Sequence, residues 1–227
     1  MNGLTESQIL HYSSAAWTRT DDADVSEHLA AAFSRFSRMA PGKFLDLGCA
    51  TSPVGRALLP LNWNCHGVEV AASGQVARDA GVSLHGFDLS GEWSADLAGQ
   101  SFDAVLAAEI IEHLIDTDRF LANIFAVLRC GGTAIITTPN LTSLENRARM
   151  LCGIHPRFMD FGIEGDTIGH VRYYTARKLR EQMQRHGFRD VKIATVNARV
   201  GKIAMRPIRR LMNAAGLSLQ LLASAVK

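Results

Sequence analysis

Two glutamates and a histidine stand close together near the middle of the chain, at Glu109, Glu112 and His113. Spacings of three and four residues would place their side chains on one face of a helix. Such a set could bind a divalent cation, and His170 could supply a fourth ligand from a later segment. An imidazole could instead act as a general base that takes a proton from a hydroxyl group. The sequence therefore predicts catalytic roles for these four residues.

A second stretch with the features of a ligand site runs from Phe44 to Gly55. Apolar strand residues lead into a loop of small side chains, and Ser52 with Pro53 predicts the N-cap and first residue of a helix. In an α/β sheet such a turn lies at the carboxyl end of a strand, where exposed backbone N–H groups bind ligands. The stretch is a candidate cofactor site.

The residue types in this turn indicate a nucleoside ligand without phosphates. A dinucleotide site needs Gly-x-Gly-x-x-Gly, whereas the matching positions are Gly48, Ala50 and Pro53. Asp46 would repel phosphates but attract an ammonium group. Glu69 follows Gly48 by twenty-one residues, which suits an acid that accepts hydrogen bonds from ribose hydroxyls. S-Adenosylmethionine carries both an ammonium group and a ribose, so it is the predicted cofactor.

The run Leu45-Asp46-Leu47-Gly48-Cys49 resembles motif I of the class I S-adenosylmethionine-dependent methyltransferases. The resemblance continues in family order and spacing over roughly residues 40–190. Its further segments are Gly67-Val68-Glu69, Gly86-Phe87-Asp88-Leu89, Phe102-Asp103-Ala104-Val105, the run from Glu109 to Leu114 and the run from Leu128 to Gly132. Ala50 and Ser52 depart from the pattern, because the family usually has glycines at these positions.

The resemblance also implies roles for particular residues. Asp88 resembles the family acid that accepts a hydrogen bond from the adenine amino group, and Leu89 would donate its backbone N–H to the ring. The Glu-x-x-Glu-His run is similar to that of the ubiquinone-biosynthesis O-methyltransferases and, with a later histidine, to that of the small-RNA 2′-O-methyltransferases. The predicted cofactor-binding set is Asp46, Gly48, Cys49, Ala50, Glu69, Val70, Asp88, Leu89 and Ala107.

Strand and helix patterns alternate as far as residue 140, which predicts right-handed βαβ units and a parallel sheet. The predicted fold class is α/β, and the resemblance implies a Rossmann-like, seven-stranded, mostly parallel sheet with helices on both faces and an antiparallel last strand. The predicted strands lie near residues 43–48, 64–69, 83–87, 102–107, 132–138, 191–196 and 217–227. The predicted helices lie near residues 25–39, 53–60, 72–80 and 116–128, and after Thr175.

The 227 residues suffice for one domain with a sizeable core, so a single domain over residues 1–227 is expected. It would carry an N-terminal arm, residues 1–24, and a Gly-rich substrate cap, residues 141–170, with Arg147, Arg149 and Arg157 facing the ligand. The four cysteines form no Cys-x-x-Cys pair, and the chain lacks the run of about 18 apolar residues that spans a membrane. These features predict a reduced, cytoplasmic protein without a transmembrane segment.

The formal net charge of +2 conceals an asymmetry along the chain. Residues 1–140 contain 8 Lys and Arg against 16 Asp and Glu, whereas residues 141–227 contain 16 against 6. The basic C-terminal part would attract an anionic substrate, RNA or an anionic membrane face. Solvated helix faces that happen to be rich in arginine would give the same count.

The predicted function is methyl transfer from S-adenosylmethionine to a hydroxyl of a small-molecule, glycan-like or lipid-linked acceptor, with His113 or His170 as the base. One alternative is an RNA 2′-O-methyltransferase, which the lack of an aromatic-rich nucleic-acid-binding extension disfavours. The other is a non-catalytic scaffold that binds S-adenosylmethionine, suggested by Ala50 and Ser52. A divalent cation such as Mg²⁺ is not favoured, because one of its ligands must come from the Gly-rich cap.

Overall fold

The computed structural model describes residues 26–159, 169–197, 199–200, 203–204, 209–214 and 216–227. The predicted N-terminal arm, residues 1–24, lies outside these described residues, and so does the part of the predicted cap from 160 to 168. All four cysteines are free thiols. None of the helices that are described is long and apolar enough to cross a membrane.

A seven-stranded sheet forms the centre of the fold, in the order β3-β2-β1-β4-β5-β9-β6. Its strands are β1 (Lys43–Leu47), β2 (Asn64–Val68), β3 (Ser83–His85), β4 (Phe102–Ala108), β5 (Leu128–Pro139), β6 (Arg189–Val196) and β9 (Gln220–Val226). Two short strands pair with each other apart from this sheet: β7 (Arg199–Val200) and β8 (Ile203–Ala204). The first five strands run parallel, and β9 is antiparallel to both β5 and β6. The predicted fold class is thus confirmed, including the antiparallel last strand.

Seven helices accompany the sheet within the described residues. They are α1 (Glu27–Phe36), α2 (Pro53–Leu58), α3 (Gly74–Asp79), α4 (Thr117–Val127), α5 (Leu144–Leu151), α6 (Ala176–Arg185) and α7 (Arg209–Ala214). Single 3₁₀ turns occur at Leu59–Leu61, Ser94–Leu97 and Ile111–His113. Helix α6 begins as its sequence predicts, because the Thr175 hydroxyl accepts a hydrogen bond from the Lys178 N–H.

The strands alternate their side chains between two hydrophobic clusters, one on each face of the sheet. In β1, Phe44 belongs to the cluster that α1 and α2 cover, whereas Leu45 and Leu47 belong to the cluster that α4 and α6 cover. All three side chains are completely buried. Because both faces of β1 are covered, its buried residues are apolar except for Asp46, whereas Lys43 at the start of the strand is half-buried.

The order of the strands determines where a ligand can bind. The chain moves outward from β1 to β2 and β3, and then returns to place β4 on the other side of β1. Leu47, the last residue of β1, pairs with Val68 on one side and Ala107 on the other. The loops that follow β1, β2 and β4 therefore leave the sheet side by side, at the switch point where α/β sheets bind ligands.

Candidate functional site

The loop after β1 has an unusual backbone. Gly48, Ala50 and Ser52 have φ angles of +63°, +46° and +47°, so every second residue lies in the left-handed region. A side chain at Gly48 would also place its Cβ 2.2 Å from Cδ1 of Ile110. Alanine and serine adopt this backbone at a cost of about 1–2 kcal/mol each. Ala50 and Ser52 therefore keep the left-handed backbone that glycine would adopt at these two positions.

Glu69 ties this loop to the end of β2. Its carboxylate accepts hydrogen bonds from the backbone N–H groups of Ala50, Val70 and Ala71, at 2.8, 2.8 and 2.9 Å. The Val70 side chain is 56% exposed at the same edge of the sheet. A carboxylate has about four lone-pair sites, so three N–H bonds leave one acceptor site on Glu69.

Asp46 is buried at the end of β1, with 4% of its surface exposed. The Ser52 hydroxyl donates a 2.7 Å hydrogen bond to its Oδ2. Burial is the main cause that raises the pKa of Asp46 to about 7; the Ser52 hydrogen bond, next in importance, lowers this pKa, and the charge of Glu69 raises it. Ser52 does occupy the N-cap position of α2, but its side chain makes no capping bond there.

Four other predicted cofactor residues have structural contacts of their own. Cys49 is buried, and burial raises the pKa of its thiol far above the ordinary value. Both carboxylate oxygens of Asp88 accept hydrogen bonds from Ser90, one from the backbone N–H at 2.9 Å and one from the hydroxyl at 2.5 Å. Leu89 packs against the hydrophobic core, and Ala107 is completely buried within β4.

The prediction that Glu109, Glu112 and His113 share one face of a helix is wrong. Glu109 has a φ of +55°, and only a single 3₁₀ turn follows it at Ile111–His113. The left-handed residue turns the chain before a helix can begin, and the Glu109 carboxylate accepts a 2.8 Å hydrogen bond from the Thr137 hydroxyl in β5. Among the described residues, Glu109 is not part of the group whose ligand atoms lie close together.

The structure instead brings Glu112, His113 and His170 together. The backbone carbonyl of Glu112 accepts hydrogen bonds from the N–H groups of Val171 and Arg172, which holds the segment after the cap against the 3₁₀ turn. The two imidazole rings meet edge to face with their centroids 4.7 Å apart. His170 Nε2 lies 3.8 Å from Glu112 Oε1.

The Glu112 carboxylate is almost completely buried, with 1% of its surface exposed. Its Oε2 accepts a 3.0 Å hydrogen bond from the Thr138 hydroxyl, whereas no described group donates to Oε1. Burial raises the pKa of Glu112 well above its ordinary value, and the charge of Glu109 raises it further. The consecutive threonines at the end of β5, which engage both glutamates, were not among the predicted site residues. Their position at the end of a predicted parallel strand, where ligands bind in α/β sheets, could have identified them as site residues.

The hydrogen bonds of the two histidines define where a proton can sit. Nδ1 of His170 lies 2.9 Å from the Phe158 carbonyl oxygen, and Nδ1 of His113 lies 3.2 Å from the Gly169 carbonyl oxygen. Because a carbonyl oxygen only accepts, we assign the hydrogen to Nδ1 in both rings. The lone pair of each neutral ring is then on Nε2, and that of His170 faces Glu112.

The same three residues have the chemistry of a metal site, since Glu112, His113 and His170 each offer a ligand atom. These atoms lie within 4.8 Å of one another. A Mg²⁺ ion with ligands at about 2.1 Å separates opposite ligands by about 4.2 Å, so the set would have to contract around an ion. As placed, Glu112 Oε1 and His170 Nε2 are too far apart at 3.8 Å for a direct hydrogen bond, so the side chains form an open cluster.

A small surface cleft, with room for about one water molecule, opens beside His170. It is lined by Pro139, Leu141, Arg157, Phe158, Met159, His170, Arg172, Tyr173 and Tyr174. Of the cap arginines, Arg157 lines this cleft, whereas Arg147 and Arg149 donate hydrogen bonds to the carbonyls of Thr142 and His155. His170 therefore contacts both the cleft and Glu112, and His113 lies behind it.

The strand order, the antiparallel β9 and the ligand loop at the switch point together define a Rossmann-like methyltransferase domain of class I. The chain matches the family described as "Methyltransferase domain" over residues 22–193. It belongs to that family, as its motifs predict.

Curated relatives include the mitochondrial ubiquinone biosynthesis O-methyltransferase of Mus musculus, which is 31% identical over 137 residues that cover 51% of this chain and 35% of the relative. Across the ubiquinone biosynthesis O-methyltransferases that it resembles, this chain covers between 30% and 51% of the relative's length. A possible histamine N-methyltransferase from Thermotoga maritima has a TM-score of 0.61 at 16% identity, covering 88% of each chain. Phosphoethanolamine N-methyltransferase 2 of Haemonchus contortus, solved with S-adenosyl-L-methionine, has a TM-score of 0.58 at 18% identity, covering 98% of this chain and 57% of that one.

Proposed function

We propose that the protein transfers the methyl group of S-adenosylmethionine to a hydroxyl group of a small-molecule acceptor that binds in the cleft beside His170. The observation that carries the proposal is the buried pair of Glu112 and His170, which adjoins the cleft. The loop of Gly48, Ala50 and Ser52 leaves the same edge of the sheet. A cofactor site and a proton acceptor are thus close neighbours.

The residues of the β1 and β2 loops suit the cofactor. An ionised Asp46 attracts the ammonium group, and the remaining acceptor site of Glu69 suits a ribose hydroxyl. Asp88 would accept from the adenine amino group, sharing its carboxylate with Ser90. When bound, S-adenosylmethionine supplies a methyl group that is already activated on a sulfonium. The enzyme's main tasks are then to align the acceptor and remove its proton.

His170 is the proposed general base. Its Nε2 carries the lone pair, and a proton taken up there is stabilised by the Glu112 carboxylate 3.8 Å away. The Phe158 carbonyl holds the ring by its Nδ1–H, as the partner of a catalytic histidine does. The His113 ring packs edge to face against the His170 ring. The negative charge of Glu109 raises the pKa of Glu112. A divalent ion held by Glu112, His113 and His170 is the alternative.

The acceptor is proposed to be glycan-like or lipid-linked, and the O-methyltransferase names of the curated relatives support a hydroxyl group as the site of methylation. Leu141, Phe158 and Met159 give the cleft an apolar wall. Arg157 and Arg172 add positive charge, although the carboxylate of Glu145 partly neutralises Arg157 at 3.2 Å. An apolar acceptor with an anionic substituent fits this combination.

Two variants test the two halves of the site separately. Glu69→Ala should weaken S-adenosylmethionine binding about tenfold or more in calorimetric titration, because a charge-assisted hydrogen bond is lost. His170→Asn should leave that affinity unchanged but lower methyl transfer by about 10²–10⁴-fold. Methyl transfer is measured with S-adenosylmethionine that carries a tritiated methyl group. The acceptors tested are a short-chain prenylated phenol, a sugar alcohol and a short RNA. His186→Ala is the control, since this histidine contacts Asp118 on the surface.

The same assay separates the remaining alternatives. EDTA should not change turnover if His170 is the base, whereas loss of activity that Mg²⁺ or Mn²⁺ restores would establish the metal alternative. Methylation of RNA alone, with retention that falls steeply as salt rises, would identify the RNA enzyme favoured by the basic C-terminal part. S-Adenosylmethionine binding without transfer to any acceptor would favour the scaffold.

A further inference from the structure

Ser52 stands where the resemblance leads one to expect glycine, and its backbone is left-handed, with φ at +47°. A serine adopts that backbone less readily than glycine. Its side chain is completely buried, so it gains nothing from contact with water. The gain that the structure records is the 2.7 Å hydrogen bond from its hydroxyl to Oδ2 of Asp46.

We propose that Ser52 is a positioning residue that orients the Asp46 carboxylate and favours its ionised form, so that the affinity for S-adenosylmethionine depends on the Ser52 hydroxyl. This inference rests on the proposed function, because it assumes that Asp46 attracts the ammonium group of that cofactor. Ser52 itself need not contact the ligand.

The surroundings of Asp46 explain why such help is needed. The carboxylate is 4% exposed, and the titratable groups around it are Glu69 after β2 and the thiols of Cys49 and Cys65. None of these groups carries positive charge, and Glu69 is itself an acid. Burial and this neighbour both favour the protonated form of Asp46. The Ser52 hydroxyl donates a hydrogen bond, which favours the ionised form.

Ligand binding gives the first test, using calorimetric titration of the full chain with S-adenosylmethionine at pH 6, 7 and 9. If the loss of the hydroxyl in Ser52→Ala raises the pKa of Asp46 by about one unit, the variant should bind about tenfold more weakly than wild type at pH 6, about fivefold at pH 7 and almost equally at pH 9. The ligand's own amino group titrates equally for both proteins and cancels from this ratio. A loss that is the same at all three pH values would overturn the proposal.

Two matched variants separate the hydroxyl from the backbone. Ser52→Gly removes the hydroxyl but relieves the left-handed strain, so it should unfold at a higher temperature than Ser52→Ala while showing the same pH-dependent loss of affinity. In an Asp46→Asn background the side chain cannot ionise, and Ser52→Ala should then have no pH-dependent effect. A pH-dependent loss that persists in the Asp46→Asn background would also refute the proposal.

A second measurement does not involve the cofactor. The free energy of unfolding of the ligand-free protein should fall more for Ser52→Ala at pH 9, where Asp46 is ionised, than at pH 5, where it is protonated. An equal loss at both pH values overturns the inference, whether or not the protein binds S-adenosylmethionine. If wild type shows the expected stability difference but does not bind S-adenosylmethionine, the proposed cofactor is refuted. The claim that Ser52 affects the affinity for this cofactor is then refuted as well.

Discussion

At the scale of single residues, acidic side chains dominate the site and the fold modifies each one differently. Glu69 is held by three backbone N–H groups, whereas Asp46 and Glu112 are buried and each has one hydroxyl donor, Ser52 and Thr138 respectively. Burial raises the pKa of Asp46 and of Glu112. Carboxylates whose pKa values are strongly shifted are expected at functional sites.

The buried Asp46 predicts how stability depends on pH. Its folded pKa of about 7 lies above the ordinary value of 3.8, so between these values the native state binds more protons than the unfolded state. The free energy of unfolding should therefore fall as the pH rises through this window, by at most about 4 kcal/mol from this group.

Asp46→Asn should remove that dependence. Relative to wild type, the ligand-free variant should gain stability between pH 4 and pH 8, as measured by urea unfolding at each pH. Asp96→Asn, at an exposed acid, serves as the control for the loss of one acidic side chain at the surface. A difference between wild type and Asp46→Asn that does not change with pH would contradict the expected burial of an ionisable carboxylate.

At the scale of elements, the cleft depends on how α5 is tied to its neighbours. The buried side chain of Asn146 bridges two segments, since its Nδ2 donates to the Asn140 carbonyl and its Oδ1 accepts the Arg157 N–H at 2.7 Å. Arg157 also pairs with the buried carboxylate of Glu145. The cap wall that carries Phe158 is thus anchored to α5 by polar side chains.

Asn146→Ala should loosen this wall. Loss of the bridge leaves the Arg157 N–H without its acceptor and removes one of the two donors to the buried Asn140 carbonyl, which keeps the Ser143 N–H, at a cost of about 1–3 kcal/mol in unfolding free energy. Amide exchange at residues 154–159 should become faster, and acceptor affinity should fall while S-adenosylmethionine affinity is unchanged. Arg147→Ala on the exposed side of the same helix is the control, with a cost below about 1 kcal/mol. Equal amide exchange in the two variants would contradict the anchoring role.

At the scale of the whole molecule, the C-terminal strand completes the sheet. β9 lies between β5 and β6, and Ala223 pairs with Ile136 on one side and Ile193 on the other. The last residues of the chain therefore join β6 and its preceding helix α6 to the first five strands. His170 and Tyr174 lie directly before α6. We therefore expect the position of His170, the proposed base, to depend on the pairing of β9 with β5 and β6.

Ala223→Pro should disrupt the sheet as a whole. Proline removes a backbone N–H from a strand with neighbours on both sides, which costs about 3 kcal/mol or more. Ala223→Ser keeps the N–H and should cost about 1–2 kcal/mol, for a buried hydroxyl. Denaturant unfolding monitored by near-ultraviolet circular dichroism compares the two. A proline variant as stable as the serine variant would show that β9 is not needed to hold the sheet together.

Much of the fold was predictable because its signals are local. The apolar run ending at Leu47, the glycine after it and the alternation of strands and helices each reflect periodicities that neighbouring residues establish by themselves. The position of Glu69 at the end of β2 was also predictable, since it follows an apolar strand, whereas its role in binding the cofactor stays a prediction. The antiparallel last strand followed from the resemblance to the family.

What the tertiary structure alone decided was the arrangement of Glu112, His113 and His170, the proposed catalytic cluster. The helical spacing of Glu109 and Glu112 was a local signal, but a left-handed residue and a hydrogen bond to Thr137 in another strand overrode it. His170 reaches Glu112 because the Val171 and Arg172 amides bind the Glu112 carbonyl, nearly sixty residues away in sequence. Such contacts depend on which strands become neighbours and on whether buried polar groups find partners, and neither is determined within a short window of sequence.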